Sequence, residues 1–161
     1  MRVLIFGNSG SGKSTLARKL SARHSLVLLD LDTVVWSPKE FAIFRPEVEI
    51  ATALDRFVRA NPRWIIEGCY GLWMEYLAPS CTEMLFLNPG EETCLRHCRE
   101  RPWEPHKYPN PQAQEAQRPI LLEWVRGYAT RSDDLSLSAH RRLFEAFGGS
   151  KKEITTYDLK R

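Results

Sequence analysis

Cysteine is scarce and poorly arranged for chemistry. The chain holds four, Cys69, Cys81, Cys94 and Cys98, with no CxxC pair and no histidine cluster of zinc-finger spacing, which argues against a structural zinc or a disulfide framework. Long apolar runs are also missing: no stretch approaches the roughly 20 residues that a membrane helix needs. The N-terminus MRVLIFGNSG has one arginine and a very short apolar run that ends at Gly7, which is not the plan of a secretory leader. Cytoplasmic residence with reduced thiols is therefore expected. Nor is there a tract of one charge. Lys and Arg total 23 against 20 Asp and Glu, a net +3 spread along 161 residues, so nucleic acid is not the default partner.

What is there is the profile of one globular domain, 1–161, with 43% hydrophobic and 27% charged residues and enough length for a substantial core. Residues 2–6, RVLIF, are a short apolar run of the kind that forms a buried parallel strand. Helical spacing of Leu16, Ala17 and Leu20 follows, then an apolar run at 26–29. A second helix is expected from Pro46 up to Asn61-Pro62, with Ile50, Leu54 and Phe57 on its apolar face, since proline suits a first turn. Strands are expected at 64–66, 84–87 and 153–157, and helices to about Arg101, from Ile120 to Tyr128, and from Leu137 to the Gly148-Gly149 stop. Between Pro102 and Pro119 lie five prolines and few aliphatic residues, which suggests an exposed, irregular lid over 102–119. The alternation of strands and helices predicts an α/β fold of three layers around a central, mainly parallel five-stranded sheet.

One motif stands between the first strand and the first helix. Gly7-Asn8-Ser9-Gly10-Ser11-Gly12-Lys13-Ser14 satisfies GxxxxGK[ST], the phosphate-cradling loop of nucleotide-binding proteins. Clustered phosphate oxygens need many donors, and glycines let the amides of Ser9, Gly10, Ser11 and Gly12 turn inward at a helix N-terminus. Lys13 is expected to span the outer phosphates of ATP, Ser14 to place its hydroxyl on Mg2+, and Thr15 to add a contact further back along the phosphate chain.

The remaining landmarks, in order along the chain, resemble the adenylate kinase and shikimate kinase branch of P-loop proteins. Thr130-Arg131-Ser132-Asp133-Asp134 with Arg142-Leu143 is similar to the RxDD...RL signature of adenylate kinases; the resemblance implies that Arg131 and Arg142 hold the transferring phosphate. Guanidinium forks suit that role because charge spreads over the equatorial oxygens in transfer. In LRHCRER, the resemblance implies Arg96 stacked on the adenine and Arg101 near the phosphates, with Lys107 and His106 further lid cations. Asp30-Leu31-Asp32 resembles the DxD of shikimate kinases, which implies Asp30 behind the magnesium and Asp32 binding the acceptor hydroxyl or taking its proton; helix capping is the competing role for either aspartate. Trp64 to Tyr70, WIIEGCY, resembles the LLDGFPR segment of adenylate kinases, with Glu67 facing the magnesium. It also resembles a bacterial group of kinase-like P-loop proteins assigned to DNA topology modulation. Gly71 stands where adenylate kinases use an arginine to grip AMP, which counts against an AMP-type acceptor. Trp36, Phe41, Phe44 and Arg45 fall in an acceptor-capping insertion, 33–61, although aromatics there also suit an ordinary core.

These observations imply a phosphotransferase that moves the terminal phosphate of ATP to a small-molecule acceptor, acting as monomer or homodimer, with no membrane partner. The alternative is a nucleotide sensor that binds and turns over ATP without an acceptor. A GTPase is excluded by the lack of NKxD after a late strand, and a nucleic-acid motor by the small size and the absence of a basic surface.

Overall fold

The computed structural model describes residues 1–38, 43–105 and 107–156. Phe41, His106 and Tyr157, to which the sequence assigned a pocket, a lid and a strand role, lie outside the described residues. Five strands, β1 (Arg2–Gly7), β2 (Val27–Asp30), β3 (Trp64–Gly68), β4 (Glu83–Leu87) and β5 (Ser150–Ile154), form one sheet in the order β2-β3-β1-β4-β5. Every pairing is parallel. Among the described residues, seven α-helices cross between them or follow them: α1 (Lys13–His24), α2 (Asp32–Val35), α3 (Glu47–Ala60), α4 (Gly71–Leu77), α5 (Glu91–Arg99), α6 (Pro111–Arg126) and α7 (Leu137–Ala146).

The two faces of the sheet follow from side-chain alternation along each strand. Val3 and Ile5 of β1 join Ile65, Leu85 and Leu87 under Ala17, Leu16 and Leu20 of α1. Leu4 and Phe6 point the other way, with Trp64, Ile66, Met84 and Phe86, into a larger core closed by α3, α4 and α7. Both faces are thus covered, which is why β1 reads as an unbroken apolar run rather than an alternating one. A third cluster, Cys94, Leu95, Cys98 and Val125, joins α5 to α6.

The segment 102–119 differs from expectation. Its second half is helix, because Pro111 occupies the first turn and Asn110 accepts a cap hydrogen bond from the Ala113 amide at 2.7 Å; a missing proline N–H costs nothing there. Pro119 lies inside the helix, and neighbouring Arg118 reaches across to the carbonyl of Cys98 at 2.8 Å and to that of Arg99, satisfying oxygens left over at the end of α5. The first half is tied down as well. Buried Gln114 accepts from the Glu104 amide at 2.8 Å and donates to the Pro102 carbonyl at 3.0 Å.

Candidate functional site

The C-terminal ends of β2, β3 and β1 lie side by side, at the edge where open parallel sheets form their ligand cleft. The glycine-rich loop leaves β1 and runs directly into α1. Gly10 has φ of +78°, and a Cβ there would lie 2.3 Å from the Cys94 carbonyl oxygen and 2.8 Å from the Cys98 sulfur. Only glycine lets the loop pass this close to α5. Two pegs hold it. Asn8, nearly buried, donates to the Val125 carbonyl of α6 at 3.1 Å and accepts from the Ser9 amide at 2.8 Å. His97 of α5 meets the Gly10 carbonyl through Nδ1 at 2.8 Å, so Nδ1 carries the proton in that contact. Lys13 arches back over the loop, its Nζ donating to the Asn8 carbonyl at 2.8 Å.

Beside Lys13 sit two carboxylates in register. Asp30, last in β2, pairs with Glu67 of β3 across the ladder. Glu67 is 3% exposed, and burial pushes its carboxyl above the usual range, opposed by the charge of Lys13, with the Ser14 side chain in hydrogen-bond contact. Asp30 is pushed up too, by burial and by neighbouring Asp32. One Asp30 oxygen accepts from the Asp32 amide at 2.9 Å and steadies the turn after β2; neither aspartate caps α2, whose N-cap is Leu31 with no side-chain cap bond. Among the described residues, no group of three His, Cys, Asp or Glu could hold a metal by itself. A hydroxyl in contact with a buried carboxylate, with a second carboxylate alongside, nevertheless fits Mg2+, which keeps water and phosphate ligands and takes few from protein.

Asp32 faces the cleft from the first turn of α2. Tyr70 donates to its Oδ1 at 2.5 Å and Lys107 to its Oδ2 at 3.0 Å. Burial would raise the Asp32 carboxyl, but the Lys107 charge and the Tyr70 hydrogen bond more than offset it and hold it below the usual range. Lys107 also approaches Glu104 at 3.6 Å. Trp36 lies beside Tyr70, close enough to act on its hydroxyl. Trp36 stacks on Phe44 with ring centroids 4.2 Å apart, and Arg45 fixes the Trp36 carbonyl through Nε at 3.1 Å.

The arginines implied by the resemblance are placed differently. Arg131 lies over the Trp124 ring at 3.6 Å, donates to the carbonyls of Trp124 and Leu135, and pairs with Asp133 at 3.3 Å. Its guanidinium closes the turn between α6 and α7. Arg142 is exposed on α7; its neighbour Arg141 turns inward instead, to Glu153 at 2.7 Å. Arg96 is exposed on α5, while Arg101 meets Glu104 at 3.5 Å and the Cys98 sulfur at 3.9 Å. The cleft therefore gathers Lys13, Ser14, Asp30, Asp32 and Glu67 but leaves Arg131 and Arg142 on their own turns. Asn8, His97, Tyr70 and Lys107 complete it, and of these the sequence assigned a role only to Lys107, as a lid cation.

Gly71 has a steric cause. Its amide donates to the Asp134 carbonyl at 3.0 Å, and a Cβ there would lie 2.2 Å from that oxygen, so no arginine can stand at this position. Asp134 also accepts from the Leu72 amide at 3.2 Å, supplying the start of α4.

No sequence-family profile matches the chain. The uncharacterized protein YqaC of Bacillus subtilis (strain 168) is 30% identical over 128 residues, 77% of this chain and 70% of that protein. The fold is similar to that of shikimate kinase from Acinetobacter baumannii in complex with shikimate, with TM-score 0.53 and 16% identity over 98% of this chain and 84% of that one. It is also similar to deoxyadenosine kinase from M. mycoides with bound dATP, with TM-score 0.50 and 12% identity over 99% and 94%.

Proposed function

The chain belongs to the same family as YqaC of Bacillus subtilis and has the fold of P-loop small-molecule kinases; on that premise we propose that it transfers the terminal phosphate of ATP to a hydroxyl-bearing small molecule. One observation carries this reading: Asp32, an ionised carboxylate held by Tyr70 and Lys107, stands beside a phosphate cradle without belonging to it. A nucleotide sensor needs the cradle and has no use for a separate charged base.

The chemistry follows from the placement. The loop amides and Lys13 bind the phosphate chain and hold the terminal group for in-line attack, a reaction in which positioning and charge stabilisation supply most of the catalysis. Ser14, with Asp30 and Glu67 behind it, would hold Mg2+, which supplies neutralisation of phosphate charge when bound. Asp32 accepts the hydrogen bond of the acceptor hydroxyl and orients its oxygen. As that oxygen bonds to the terminal phosphorus, the bond from that phosphorus to the bridging oxygen breaks, ADP leaves, and the hydroxyl proton passes to Asp32. Lys107 must leave Asp32 for the acceptor to bind, and it is then the nearest lid cation for the transferring group. Arg131 and Arg142 join only if the turn after α6 rearranges with nucleotide bound, because the Arg131 donors are committed to Trp124, Asp133 and Leu135.

The test is product formation from Mg-ATP with a panel of nucleosides, nucleoside monophosphates, sugars and hydroxy acids. Lys13→Ala should abolish turnover. Asp32→Asn should keep ATP affinity and lose transfer by about 10²–10⁴-fold, the range of general base catalysis. Equal loss of ATP binding in both variants, or ADP release with no phosphorylated product from any acceptor, would contradict these roles.

A further inference from the structure

From the end of α2 onward, residues 35–37 and 43–45 run antiparallel to each other. Ser37 donates its amide to the Ile43 carbonyl at 2.7 Å and Arg45 to the Val35 carbonyl at 2.8 Å, and Trp36 and Phe44 face each other in an antiparallel bridge. Cross-strand aromatic stacking by itself explains why these two rings meet. It does not explain the rest. Phe44 keeps 52% of its surface exposed, a large fraction for a phenylalanine already stacked on tryptophan, and it meets Tyr70 at nearly a right angle with centroids 6.3 Å apart. Tyr70 in turn donates to Asp32 at 2.5 Å. A half-exposed aromatic ring is therefore coupled to the acceptor carboxylate through one tyrosine side chain.

We infer that the acceptor is a heteroaromatic alcohol without a phosphate of its own: a hydroxyl seated on Asp32 and, about one saturated ring away, a flat heterocycle stacked on Phe44. The inference rests on the phosphotransferase reading and narrows its substrate. The spacing suits it, because Tyr70 separates platform from carboxylate by one ring, as the sugar of a nucleoside separates a primary hydroxyl from the base. The wall beyond Tyr70 suits it too. Position 71, from which an arginine would grip an acceptor phosphate, has no room for any side chain. Stacking on an exposed aromatic is tolerant of which heterocycle binds, since each presents a π face. The chemistry therefore points to the class and leaves two sources, nucleosides and small hydroxymethyl heterocycles.

The experiment is isothermal titration of the full chain, preloaded with Mg2+ and a non-hydrolysable ATP analogue, with adenosine, thymidine, pyridoxine, shikimate and gluconate, followed by product assays with ATP. At least one of the first three should bind and be phosphorylated, and which one identifies the source. Phe44→Ala should weaken that ligand about tenfold or more while uptake of the ATP analogue stays intact; Phe44→Trp should restore it, which separates stacking from misfolding. Far-ultraviolet circular dichroism checks the fold of both variants. If shikimate or gluconate binds better than every heterocycle, if none of the five binds, or if Phe44→Ala leaves the heterocycle unaffected, the inference is overturned while the kinase reading stands on the product assay. Absence of uptake of the ATP analogue itself would overturn the kinase reading instead.

Discussion

Acidification should unfold this protein early, through His140. The imidazole is fully buried, its Nε2 meeting the Cys69 carbonyl at 2.8 Å and its Nδ1 the Tyr128 hydroxyl at 2.7 Å. Phe6 and Phe86 pack at its edges. Nε2 donates to the carbonyl, and in the neutral ring Nδ1 accepts from the hydroxyl, so both partners are served without a charge. Burial accordingly pushes its pKa down from 6.5 to about 4. The sign is that of a base kept neutral by folding. Above the unfolded value both states are neutral and nothing changes; as pH falls below it, the unfolded chain takes up a proton that the folded chain refuses until near pH 4. Each pKa unit is worth about 1.4 kcal/mol, so stability drops by about 1.4 kcal/mol at pH 5.5 and by about 3 kcal/mol in total. For a chain of this length the first loss lowers Tm by roughly 4 °C. Urea unfolding at pH 7.5, 6.5 and 5.5 reads it out. His140→Gln, whose amide can serve the same two partners without titrating, is the reference: it should lose about 1.4 kcal/mol less than the native chain between pH 7.5 and 5.5. Parallel losses in the two proteins would refute the reasoning.

Two further outcomes follow from the cleft. Gly71→Ala places a methyl against the Asp134 carbonyl and should destabilise by about 1–3 kcal/mol, as overpacking does; an unchanged denaturation midpoint would show that the Asp134 turn yields freely. Lys107→Ala removes the cation that competes for Asp32 across a half-buried pair, so the acceptor KM should fall by about two- to fivefold, a half-exposed pair being worth no more than about 1 kcal/mol. Steady-state kinetics with a saturating ATP concentration measures it, and a KM that rises would mean that Lys107 binds the acceptor directly.

Much of the fold is written locally. RVLIF, MLFL and the glycine motif each carry their meaning within a few residues, and so do the apolar stripes of α1 and α3. The short helix α4 escaped notice because its first amides are satisfied by Asp134, far along the chain. The start of α6 was hidden because a run of prolines suggests irregularity, whereas Pro111 marks a first turn and Gln114 secures the loop before it. The site shows the same division. Lys13, Ser14, Asp30, Asp32 and Glu67 flank strand ends and could be placed from the sequence. Lys107 finds Asp32 across 75 residues, Asn8 finds Val125 across 117, and His140 finds Cys69 across 71, separations no local pattern encodes. Arg131 shows the converse: its charge is plain in the sequence, but Trp124, which covers its guanidinium, sits in the preceding helix and carries no mark of that contact.

The turn that leads into α7, and α7 itself, are sewn to the chain just past β3. Asp134 holds the amides of Gly71 and Leu72, and His140 holds the Cys69 carbonyl, all directly after the strand that carries Glu67. Movement of that turn would strip hydrogen bonds from the residues that follow β3. Substitutions along this seam should therefore show in how well the whole domain survives heat.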